Sequence, residues 1–139
     1  MNASCQRPFS HALDRLRAAG LRPTRQRLAL AKLLFDSCDR HVSAEQLHGE
    51  AVSHSIRVSL ATVYNTLHQF TAVGMLREIV VDAGRSYFDT NTSEHHHFFY
   101  EESGRLEDIP GHEIAVGKVP STPDGAPIRR VDVIVRVGG

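Results

Sequence analysis

The chain has 139 residues, 41% apolar and 23% charged, which suits one medium core or two small ones and is too apolar for a disordered tail. Sixteen Lys and Arg balance sixteen Asp and Glu, so this is not a uniformly basic coat protein, and no apolar run approaches the ~18–20 residues that cross a bilayer. Two cysteines, Cys5 and Cys38, exclude a disulfide framework and a four-cysteine zinc site. The N-terminus has no apolar stretch of the secretory kind, so a soluble cytoplasmic protein is the expectation.

The zero net charge hides a gradient. Residues 1–90 carry 11 Lys/Arg against 8 Asp/Glu, and residues 91–139 carry 5 against 8. At the front, Arg7, Arg15, Arg17, Arg22, Arg25 and Arg27 are opposed only by Asp14. Arginine's planar fork suits phosphate, so this segment points to a polyanion surface; charge alone fits a solvated helix face equally well.

In chain order, residues 9–19 place Leu13 and Leu16 at helical spacing, with Gly20 as a stop. Pro23 and Thr24 open a second helix to about residue 38, with Leu28, Ala31, Leu34 and Phe35 on one face. Ser43-Ala44-Glu45-Gln46 has the form of a capping box before a third helix to about residue 54. Ser59 caps a fourth helix, 60 to about 73, closed by Gly74. The period then shortens: 76–81 and 85–89 read as a hairpin about Asp82-Ala83-Gly84. Three helices and a hairpin behind a leading helix make a winged helix-turn-helix. Residues 95–101 and 105–109 predict two more strands, and 130–137 a last one, alternating through Val131, Val133, Val135 and Val137. Four prolines between 110 and 127 exclude a long helix there. The predicted fold class is α+β: an N-terminal winged-helix DNA-binding domain, 1–90, then a small α/β dimerisation domain, 91–139. So small a β-rich second domain buries too little alone, which predicts a homodimer.

Along the fourth helix, Leu60, Val63, Leu67 and Phe70 share one flank, and Thr62, Asn65 and Gln69 the opposite one. Hydroxyl and amide side chains suit base edges, and roughly 20 Å of helix reaches across a major groove. The other reading of a polar front is plain hydration. In the strand predicted at 95–101, alternation turns His95 and His97 to one face and His96 to the other. Two imidazoles at that spacing reach one metal, and imidazole suits zinc, iron, manganese and haem iron.

Four co-linear motifs resemble the ferric uptake regulator family: Gly20-Leu21-Arg22-Pro23-Thr24-Arg25-Gln26-Arg27, His41-Val42-Ser43-Ala44-Glu45-Gln46-Leu47, Ser59-Leu60-Ala61-Thr62-Val63-Tyr64-Asn65-Thr66-Leu67 and His95-His96-His97. The resemblance implies a dimer that reads a pseudo-palindromic double-stranded operator with the fourth helix. It implies that Tyr64 and Asn65 face bases, that Arg22 and Arg25 lie along the backbone or minor groove, and that Ser59 and Thr62 hold phosphates. Asn65 stands where many members carry Arg, which implies an altered operator preference. It also implies a regulatory divalent metal (Mn, Fe or Zn) held by His41, Asp89, His95, His97 and Asp108. The paired-cysteine zinc ligands of many members are missing: the matching stretch reads Tyr100-Glu101-Glu102-Ser103. That departure and the triple histidine are similar to the haem-responsive iron response regulators, which implies haem at His95, His96 and His97 and a role in iron and haem metabolism. Cys5 is followed by Gln6, not by the proline of that branch's thiolate haem motif, and stays a candidate axial ligand. A directly Fe- or Mn-activated repressor, and a metallo-hydrolase with an open coordination position, are the alternatives. No nucleophile motif or phosphate-cradling glycine loop favours an enzyme.

Overall fold

The computed structural model describes residues 11–138. The start predicted for the first helix at residue 9, together with Cys5 and Arg7, lies outside the described residues. The chain divides between Thr92 and Ser93 into two compact units. The first holds α1 (His11–Ala18), α2 (Arg25–Phe35), β1 (His41–Val42), α3 (Ala44–Ser53), α4 (Leu60–Ala72), β2 (Arg77–Asp82) and β3 (Arg85–Asp89); the second holds β4 (His95–Tyr100), β5 (Arg105–Pro110), a 3-10 turn at Gly111–Glu113 and β6 (Ile134–Val137).

In the first unit, a hydroxyl starts each of the last three helices. Thr24 accepts from the Arg27 N–H at 3.3 Å, Ser43 from Gln46 at 3.1 Å and Ser59 from Thr62 at 3.1 Å. Each bond satisfies a backbone donor that the helix leaves open. Helix α2 ends earlier than its apolar pattern suggests because Asp36 leaves the helical region and its carboxylate accepts the Ala12 N–H at 3.2 Å, tying α2 to α1. The helices share one core: Leu16 of α1, Leu30, Leu34 and Phe35 of α2, Leu47 of α3, and Val63, Leu67 and Phe70 of α4 are fully buried, with the Phe35 and Phe70 rings 6.3 Å apart. Gly74 turns the chain out of α4 at φ +83°, a conformation open to glycine at little cost. Replacing Ser59 by alanine is expected to lower stability by about 1 kcal/mol in urea unfolding, and glycine by only a few tenths.

The wing is a three-stranded antiparallel sheet in the order β1-β3-β2. Sequence periodicity predicts β2 and β3 but not β1, a two-residue strand whose register sets His41 against Asp89 and Val42 against Phe88. Val42 and Phe88 join the helical core.

The second unit is a sheet in the order β5-β4-β6. Strands β4 and β5 form an antiparallel hairpin that turns at Gly104, φ +76°. Strand β6 runs parallel to β4, so a long connection separates it from β5. It is shorter than the alternation at 130–137 predicts. Val133 carries the cause: its carbonyl accepts the His97 N–H at 3.2 Å, but its own N–H goes to the His96 ring at 3.0 Å. Among the described residues this unit has no α-helix. No described helix is long and apolar enough to cross a membrane.

Candidate metal centre and nucleic-acid interface

The pleat of β4 sends His95 and His97 to one side of the strand, their ring centroids 4.6 Å apart. Cross-strand pairing places Asp108 of β5 opposite His97. Its Oδ1 lies 3.3 Å from His97 Nε2 and 3.6 Å from His95 Nε2. Ligand atoms of these three residues all fall within 4.8 Å of one another. The His95 Nδ1–H donates to the Ser93 carbonyl at 2.7 Å, which fixes the tautomer. Its Nε2 is then the ring atom nearest the Asp108 carboxylate. A nitrogen-oxygen donor set of this kind fits Mn, Fe or Zn. Both rings are buried while Asp108 is 49% exposed, leaving an entry path from solvent.

His96 is separate. It points to the other face, and its Nδ1 accepts the Val133 N–H at 3.0 Å. The three consecutive imidazoles therefore do not converge on one point: His95 and His97 share one face of β4 and His96 lies on the other. A hollow beside it holds about 400 Å³ and is lined by His96, Ile114, Val116, Val119, Ile128 and Arg129, among others.

In the first unit, His41 and Asp89 face each other across β1 and β3. Residues beside them, which sequence reasoning missed, clamp that pair. The Arg40 N–H donates to the Thr90 hydroxyl and the Thr90 N–H to the Arg40 carbonyl, each at 2.9 Å. The Arg40 guanidinium bridges the Leu33 carbonyl and the Glu50 carboxylate. Asp89 Oδ1 also accepts the Asn91 N–H at 2.9 Å.

On α4, Val63, Thr66, Leu67 and Phe70 are buried, while Asn65 and Gln69 are exposed and Thr62 and Tyr64 half-buried. The Ser59 hydroxyl donates to Thr62 Oγ1 at 3.0 Å and accepts the Thr62 N–H, so Ser59 is already committed and the Thr62 proton is the one left to point outward. The Tyr64 hydroxyl donates to Glu45 at 2.8 Å, and this bond first, with the phenol's own partial desolvation next, holds the phenol above its ordinary pKa. Arg22 and Arg25 are exposed. Arg27 is braced instead: it donates to the Arg22 carbonyl at 3.0 Å and to Gln69 at 3.3 Å, linking the head of α2 to α4. Arg15 is structural, its guanidinium lying 4.3 Å above the Phe35 ring. The basic front end is thus divided between packing and surface, a division that charge counting does not see.

Helices packed against a three-stranded wing, followed by a small sheet unit, define the class of winged-helix regulators. Residues 18–121 match the model of the ferric uptake regulator family, and the chain belongs to that family. The peroxide-responsive repressor PerR of Staphylococcus aureus (strain Mu50) is 31% identical over 106 residues, covering 76% of this chain and 71% of that protein. Among solved structures, the ferric uptake regulator of Pseudomonas aeruginosa with manganese superposes with a TM-score of 0.69 at 25% identity, over 92% of this chain and 97% of that one. The Vibrio cholerae ferric uptake regulator shares the fold at a TM-score of 0.71 and 24% identity, over 91% and 98%. Members of this family are transcriptional regulators, and the chain is a regulator rather than an enzyme.

Proposed function

We propose that the protein is a dimeric, cytoplasmic repressor of iron metabolism whose operator affinity is set by a divalent metal. Residues 1–90 form the reading domain and residues 91–139 the dimerisation and sensing domain. The observation that supports this reading is the cluster of buried His95 and His97 with exposed Asp108 in a chain whose first unit is a winged helix. His41 and Asp89 complete the donor set that the family resemblance implies. Bound there, a cation supplies positive charge that the five side chains share. The manganese of the P. aeruginosa relative favours Mn or Fe as the ion. A ligand moves the operator equilibrium only by the difference in its affinity for bound and free protein.

Tyr64 and Asn65 read bases, Thr62 donates to a phosphate with Ser59 orienting its hydroxyl, and Arg22 and Arg25 follow the backbone. Operator affinity should fall steeply with salt as phosphate contacts release counterions. Tyr64→Ala should abolish protection of a specific duplex in footprinting while the far-ultraviolet circular dichroism stays that of wild type. An unchanged footprint would remove Tyr64 from the reading face.

A second reading, sensing of haem, rests on the hollow beside His96. Apolar Ile114, Val116, Val119 and Ile128 suit the faces of a flat macrocycle and Arg129 suits an acidic edge. Its iron requires a ring nitrogen lone pair, and the His96 Nδ1 pair is held by Val133, so the ring must rotate to serve. Haem titration of His96→Ala against His95→Ala/His97→Ala, followed by the Soret band, separates the two sites. Loss of the band in the first variant alone supports this reading, and an unaltered band in both dismisses it.

A further inference from the structure

The Tyr64 hydroxyl has one proton, and Glu45 holds it at 2.8 Å. A phenol is protonated at ordinary pH, and the bond to Glu45 favours that form further. The phenolic oxygen is left with accepting capacity alone. A free tyrosine hydroxyl rotates and serves donors and acceptors alike; this one does not. The ring itself has aromatic neighbours. It lies nearly parallel to His68 (centroids 6.4 Å, 19° between planes), and His68 stands edge-on to buried Phe88 at 5.5 Å. The exposed Glu45 carboxylate adds an anionic acceptor beside the phenol. Both line a hollow of about 290 Å³ between the start of α3, the middle of α4 and the wing turn, together with Ser43, Arg85 and Tyr87.

In the major groove, adenine N6 and cytosine N4 are the donors, whereas guanine O6 and N7 and thymine O4 are acceptors. We propose that Glu45 and Tyr64 act as one acceptor unit that selects a base carrying an exocyclic amine, adenine or cytosine, on the strand it faces. Glu45 is a specificity determinant that acts both directly and by fixing the polarity of Tyr64. This rests on the reading of α4 as the groove-facing helix. An acceptor pair set against guanine O6 and N7 is repulsive, so the unit rejects as well as selects.

The test uses the full chain with Mn²⁺. Duplexes are selected from a randomised pool, and each adenine and cytosine of the resulting consensus is replaced by purine or pyrimidin-2-one, which lack only the amine. Binding is measured for wild type, Glu45→Gln and Tyr64→Phe, and comparison between proteins cancels the change in duplex stability. Wild type should lose about 10-fold at one position per half-site, and both variants no more than about 2-fold there. Equal losses in all three proteins, or a consensus with no amine-sensitive position, would overturn the proposal. A pool that yields no consensus defeats the groove-facing reading itself, and the acceptor unit with it.

Discussion

Replacing His97 by alanine is expected to weaken Mn²⁺ binding by at least about 100-fold, since even partners one shell out from a metal cost 10–100-fold. His97 is 1% exposed and its Nε2 is 3.3 Å from Asp108. No other side chain can occupy its place, because β4 admits one inward residue at that level and Asp108 is paired directly across from it. Asp108→Asn is the companion variant, and at 49% exposure it leaves the packing intact. It removes the negative charge but keeps an oxygen, so it should lose affinity with no change in folding. Isothermal titration with Mn²⁺ reads both. Wild-type affinity in either variant contradicts the assignment of the cluster.

Phe70→Ala is expected to destabilise the first unit by about 3–5 kcal/mol, the cost of emptying a core aromatic site. The ring is fully buried, tilted against Phe35, and belongs to the row with Val63 and Leu67 that holds α4 to the other helices. A loss of that size is a large part of a small domain's stability. It should appear as a drop in the urea midpoint and as weaker operator binding, because the helix that carries Tyr64 and Asn65 is then held less firmly. A change below about 1 kcal/mol would mean that α4 is held by something other than this row.

The helices were legible because their signals are local. A hydroxyl opens each of α2, α3 and α4, and an apolar face follows at 3.6-residue spacing. The pleat of β4 likewise separates His96 from His95 and His97 as alternation predicts. What depends on distant partners was not legible. Strand β1 has two residues and exists only through its register with β3. Strand β6 is curtailed because a histidine ring takes a backbone donor that the ladder would have used. Arg15 and Arg27 count the same as Arg22 in a charge sum, yet one lies over an aromatic ring and one braces α4. Glu45 carries a signal only as part of a capping box; its bond to Tyr64, 19 residues on, has no sequence signature. In the candidate site, alternation separates His95 and His97 from His96 and the family resemblance adds Asp108, but the 3.3 Å approach of Asp108 to His97 and the Val133 bond to His96 depend on cross-strand partners and have no sequence signature.

Filling the imidazole-carboxylate cluster should change how tightly α4 holds its operator. Anisotropy of a labelled, pool-selected duplex, titrated with the full chain at rising Mn²⁺, reads that change. Affinity should rise about 5–150-fold with metal, the range of ordinary coupling energies, and His97→Ala should abolish the rise. Equal affinity with and without Mn²⁺, at concentrations where titration shows the metal bound, contradicts it.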